Sequence, residues 1–206
     1  MSCCGYDQFE NGDAPGFTLS NAPLNTTASR ADMYRGVLCE DNVRGYLFNK
    51  LCVREIIDIE PKLRFRTDLF ILEDQVFIME YMKRISACCY LSSKLYGYRN
   101  TPGSALKQKV NDRQITSLCA RKLICRFAEE TGDPMLKQIV ANQLMQAIVY
   151  WFKEAALFAS PSKSRWIRQI IQVYREESAI IHSCNPQSFN ERILLSLLKV
   201  TVHFVK

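Results

Sequence analysis

Histidine is nearly missing: His182 and His203 are the only two in 206 residues. Acid–base chemistry and imidazole metal sites therefore have little to draw on. His182 falls at an expected helix end, where a protonated ring suits the local dipole, and His203 lies in the last helical stretch. Both read as structural. The nine cysteines contain no C-x-x-C pair, which argues against zinc fingers and thioredoxin-type centres. An odd count cannot pair internally, so they read as reduced thiols filling apolar space. Cys119 or Cys125 as a nucleophile would need a His partner, and nothing brings one to either.

Long apolar runs are also missing. The longest apolar stretch without a charge, residues 138–152, has 15 residues and includes Gln138, Asn142, Gln143 and Gln146. A membrane helix needs about 20 mostly apolar residues. The start of the chain carries acids and no basic n-region, so it does not read as a secretory signal, and a cytoplasmic address, or a nuclear one, is expected. Phosphate loops, dinucleotide fingerprints, H-E-x-x-H and G-x-S-x-G are absent too. The reading is of a binding protein rather than an enzyme, with no cofactor and no metal.

What is present is a chain 48% hydrophobic and 23% charged, enough to bury a core. Residues 1–29 hold three of the eight glycines, two of the seven prolines and no Lys or Arg, and read as a flexible acidic tail. Cys3 and Cys4 in such a tail offer acylation sites, although residue 2 is Ser and no polybasic stretch follows.

Residues 30–206 read as one all-α domain, a compact bundle of about six helices. The expected helical regions are 31–59, stopped by Pro61; 67–96, central and largely buried; 105–130; a long helix from Pro134 to Ser160-Pro161; a stripe from Ile167 to Ile181; and a last helix with Ser188 and Glu191 as a capping box. An extended piece is expected only around Lys62 to Arg66, and Gly97 to Ser104 reads as a turn cluster. Thr131-Gly132-Asp133-Pro134 is the clearest boundary: Gly132 ends one helix, Asp133 caps the next and Pro134 occupies its first turn.

The net charge of +6 is unevenly spread. Residues 1–29 carry −3, residues 30–80 carry −2, residues 81–126 carry +9 and residues 127–206 carry +2. The basic strip consists of Lys83, Arg84, Lys94, Arg99, Lys107, Lys109, Arg113, Arg121, Lys122 and Arg126, with Asp112 its only acid. Cations so concentrated face solvent or an anionic partner, and a phosphate backbone is one such partner. Tyr90, Tyr96 and Tyr98 are interleaved with them and offer stacking faces for bases. The acidic tail is a candidate cover for the strip.

Ala87 to Tyr90, LYGYRN at Leu95 to Asn100, RFAEETGDP at Arg126 to Pro134, Ser160-Pro161 and Trp166 form a pattern spanning Arg84 to Trp166. It resembles that of the closterovirus helical RNA-silencing suppressor family. The resemblance implies an all-helical, homo-oligomeric protein that binds double-stranded or small interfering RNA through basic residues without reading sequence. It would thereby withhold the RNA from the host silencing machinery, and a host protein is a further candidate partner. Duplex RNA is recognised through phosphates, 2′-hydroxyls and shape, so no catalytic residue is required. The rival readings are a helical adaptor that binds a partner helix in an apolar groove, and an enzyme whose site is assembled from scattered residues.

Overall fold

The computed structural model of the protein describes residues 1–10, 25–28, 30–39, 45–101, 109–184 and 189–204. The chain divides into two compact units, Met1–Thr67 with Leu72–Lys107, and Asp68–Ile71 with Gln108–Lys206.

The first unit is mixed α and β. In chain order it contains β1 (Ser2–Phe9), β2 (Asn25–Ala28), α1 (Arg30–Cys39), β3 (Lys50–Leu51), α2 (Arg54–Ile57), α3 (Glu73–Met82) and β4 (Cys88–Arg99). The strands form one sheet in the order β2-β4-β1-β3. β1 runs parallel to β4, with Cys3 opposite Tyr90 and Tyr6 opposite Tyr96, and antiparallel to β3, with Cys3 opposite Lys50. The β1–β4 register shifts on either side of Gly5. A β-carbon at Gly5 would stand 3.1 Å from the Ser92 carbonyl oxygen, so the shifted backbone uses the missing side chain for its close approach.

The all-α expectation fails here, and with it the all-helical architecture implied by the resemblance. Residues 2–9 of the expected flexible tail are β1, and Cys3 is buried rather than offered on a tail; residues 11–24 and 29 lie outside the described residues. The expected helix over 67–96 reduces to α3, and its second half is β4. The local contribution is the tyrosines: Tyr90, Tyr96 and Tyr98 suit a pleated surface, and Tyr96-Gly97-Tyr98 repeats with the period of two that a strand presents. The expected region 31–59 divides into α1, β3 and α2, while Lys62 to Arg66 joins no strand.

α3 is wrapped on almost every side: Val76, Phe77, Ile78, Met79, Tyr81 and Met82 are all buried. The Tyr81 hydroxyl accepts a hydrogen bond from the Val53 amide at 2.8 Å, and Phe77 stacks on Phe65 at 4.6 Å. Gly45 lies so close to this helix that a β-carbon would fall 2.5 Å from Gln75 Cβ.

The second unit is helical: α4 (Asp112–Thr131), α5 (Pro134–Leu157), α6 (Lys163–Glu176), α7 (Ser178–His182) and α8 (Phe189–Phe204). Its boundaries are written in local chemistry. Asn111 Oδ1 accepts from the Gln114 amide at 3.1 Å to start α4. Gly132 ends it in the left-handed region at φ 72°. Asp133 Oδ1 accepts from the Met135 and Leu136 amides at 2.9 and 3.3 Å, and Pro134 is the first helical residue of α5.

Of the expected stripe Leu136, Ile139, Val140, Leu144, Ala147, Ile148, Trp151, Phe152 and Ala155, α5 leaves Ile139, Ala147 and Trp151 half-buried and buries the rest, together with Ala141, Met145 and Val149. Fully burying one of the larger of these side chains contributes about 1.5–3 kcal/mol. The stripe expected as one piece from Ile167 to Ile181 is broken at Glu177 into α6 and α7. Ser188 of the expected capping box lies outside the described residues. Among the described residues no helix is long and apolar enough to cross a membrane.

Candidate nucleic-acid interface

The basic strip is shared between the two units. In the first, Lys83 is exposed with its ammonium 3.4 Å from Glu80. Arg84 is half-buried and donates to the carbonyls of Ile56, Ile59 and Pro61 at 3.2, 2.9 and 2.5 Å. It clasps the chain after α2 instead of facing a ligand. Lys94 pairs with Asp7 at 2.5 Å, so one acid of the expected tail does reach the strip, from a paired strand. Arg99 is exposed, with its guanidinium over the Phe9 ring at 5.4 Å. Lys107 lies outside the described residues.

In the second unit the exposed Lys109 sits over Phe158 at 5.7 Å, and the exposed Arg113 sits over Phe70 at 5.0 Å. The Phe70 amide donates to Thr116 Oγ1 at 3.0 Å, which fixes that ring beside the first turn of α4. Arg121 is half-buried, donates to Gln143 Oε1 at 3.3 Å, and has its pKa lowered by burial. Lys122 is bound by Glu176 and lies 3.7 Å from Glu177. Its hydrogen bond, with that of Gln172, holds the Glu176 carboxyl below the usual range. Arg126 is exposed and adds to the same field.

Seven of the nine described cations fall into two kinds, while Lys83, beside Glu80, and Arg126 are simply exposed. Arg84, Arg121 and Lys122 are structural, and Lys94 is matched by an acid. Arg99, Lys109 and Arg113 are instead supported by aromatic rings, and among the described residues none of the three forms an ion pair. A cation held over a ring keeps its full charge and loses side-chain freedom, so an incoming phosphate meets a positioned donor. The strip's one acid, Asp112, is bound by Trp166 Nε1 and Arg165 Nη2, each at 2.6 Å. The indole hydrogen bond first, and then the guanidinium, lower its pKa. Trp166 therefore positions the start of α4, where Arg113 sits.

A second feature is one that sequence patterning does not reveal. Tyr96 and Tyr98 join Tyr6, Tyr46 and Phe48 in a cluster of five rings in the first unit. Phe48 stacks on Tyr46 at 5.1 Å and on Tyr96 at 4.7 Å, while Tyr98 lies 4.9 Å from it. Tyr6 meets Phe48 edge-on at 5.1 Å. Tyr96 is exposed and the others are half-buried, so the cluster presents aromatic edges and faces to solvent. The available signal is the period-two pair Tyr96 and Tyr98; the partner rings come from residues some 50 and 90 positions away. Tyr90 is half-buried on the same strand.

The remaining chemistry is quiet. Cys125 borders a recess of about 370 Å³ lined also by Glu129, Lys137 and Ile180, but burial pushes its thiol up to about 12 and it donates to the Val140 carbonyl. Cys119 is exposed beside a recess of about 250 Å³ that also touches Lys122 and Glu176. Among the described residues no three metal-ligating side chains converge. Comparison with family models and with curated proteins returns no match.

Proposed function

We propose that this protein binds RNA, double-stranded or small interfering, without reading its sequence, and in doing so sequesters it from a silencing machinery, the activity implied by the resemblance of residues 84–166. The observation that carries the reading is the trio Arg99, Lys109 and Arg113, exposed cations set over Phe9, Phe158 and Phe70 and left unpaired by any described carboxylate. Lys83 and Arg126 add exposed charge. Arg84, Arg121 and Lys122 serve the scaffold. Exposed, unmatched cations gain free energy at a phosphate backbone by releasing its counterions. A homo-oligomer would set several such patches on one duplex.

The test is a gel shift with a short RNA duplex at low salt, comparing the native chain with Lys109→Glu/Arg113→Glu/Arg126→Glu. These residues are exposed, so the variant keeps its fold, and its shift is expected to disappear. No shift by the native chain overturns the RNA reading. An equal shift by the variant removes the interface from α4. The adaptor reading has its own support in Ile193, Leu197 and Val200, exposed along α8, and it predicts partner binding that is indifferent to salt.

A further inference from the structure

Lys50 is a lysine where lysines are rarely found: only 7% of it is exposed. Its ammonium donates to the Tyr46 carbonyl at 2.7 Å and to Asn49 Oδ1 at 3.0 Å. Directly opposite, across the β1–β3 ladder, is Cys3, 3% exposed, its thiol donating to the Cys4 carbonyl at 3.8 Å and electrostatically coupled to the Lys50 ammonium. Facing residues of an antiparallel pair hold their β-carbons about 4.5–5.5 Å apart, so the two side chains share one pocket. Asn49 fixes the geometry from the backbone, its side-chain amide donating to the Cys4 carbonyl at 2.9 Å while its own carbonyl accepts from the Cys4 amide at 3.0 Å. Nothing in the RNA reading uses this pair.

We propose that Cys3 Sγ and Lys50 Nζ are the site of an oxidative cross-link in which one oxygen atom bridges sulfur and nitrogen, tying the N-terminal strand to β3. Dioxygen is the oxidant. The S–H bond of the thiol, one N–H bond of the neutral amine and the O–O bond break, and S–O and O–N bonds form. Sulfur and nitrogen each give up two electrons, and the second oxygen leaves as water with the two released hydrogens. Two buried side chains that face each other across the ladder leave room for a single bridging atom, whereas a direct S–N bond would need the strands to draw together. Burial lowers the pKa of Lys50, which favours the neutral amine whose lone pair the O–N bond requires. A thiol reductant reverses the link, four thiols becoming two disulfides as the bridge returns to thiol, amine and water.

The full chain is exposed to oxygen without reductant, digested with trypsin and weighed. The expected product joins residues 1–30 to residues 45–54, uncut after Lys50, with one oxygen more and two hydrogens fewer than the two free peptides. It disappears with dithiothreitol and in Cys3→Ser and Lys50→Arg, and persists in Cys4→Ser and Cys52→Ser. A joined species lacking two hydrogens but with no added oxygen is a disulfide through Cys52 and overturns the proposal. Absence of any joined species, or its survival in Cys3→Ser, overturns it equally.

Discussion

Both units enclose a helix on several faces, α3 in the first and α5 in the second, yet they place charge in opposite ways. In the second unit Arg165 meets Asp112 at the surface, and the largely covered Lys122 is matched by two carboxylates, Glu176 and Glu177. Among the described residues its buried polar ones are the neutral Gln114 and Ser117, and Ser117 is satisfied by the Gln114 carbonyl and the Trp151 indole. The first unit carries Lys50 inside, and half-buries Asp74 at the start of α3. Charge taken out of water is costly unless matched, so the first unit is where pH and oxidation should register. The second behaves as a scaffold that displays cations.

The contrast is testable by substitutions in the full chain, read by urea unfolding. The largest effect is expected in the second unit's core: Leu144→Ala, at a fully buried position of α5, should cost about 2–5 kcal/mol and move the helical transition to lower urea. Next comes Gly45→Ala in the first unit. The new methyl meets the Gln75 backbone as well as its side chain, and forced overpacking costs about 1–3 kcal/mol. An unchanged midpoint would mean that the α3 side of this unit yields more freely than its packing implies. Asp133→Ala removes a cap that accepts two amides and should cost about 0.5–2 kcal/mol, while Asp133→Asn or Asp133→Ser should recover most of it.

A pH slope also separates the units. Burial raises Asp74 to about 6, against which the Gln75 amide hydrogen bond works in the other direction. Because the folded pKa lies above the ordinary 3.8, ionisation opposes folding. Its stabilising contribution is complete below that ordinary value and is lost as pH rises through about 6. Asp74→Asn should flatten stability across this window and leave the protein more stable than the native chain at neutral pH. The same slope in the variant would assign the dependence to another group.

How far the residues announced this arrangement follows from the range of the interactions involved. Gly132, Asp133 and Pro134 act on neighbours a few positions away, so the α4–α5 boundary was legible, as was most of the buried stripe of α5. β4 was not, because a strand is completed by partners: its parallel neighbour is β1, some 90 residues earlier, in a stretch whose Gly and Asn content reads as a tail. The candidate interface shows the same split. Counting charge located a basic strip, but it could not show that Arg84 would be spent on three carbonyls or that Arg113 would be left over a phenylalanine. Those fates depend on what folds beside each cation.

The central claim, that ring-supported cations meet a phosphate backbone, is tested most directly by the salt dependence of duplex RNA affinity. A fluorescence titration across a range of monovalent salt should give a steep linear fall of log K with log salt concentration. An Arg99→Gln/Lys109→Gln/Arg113→Gln variant should show a slope smaller by about three, one for each phosphate that no longer meets a cation. Binding indifferent to salt, or an undiminished slope in the variant, would contradict the account.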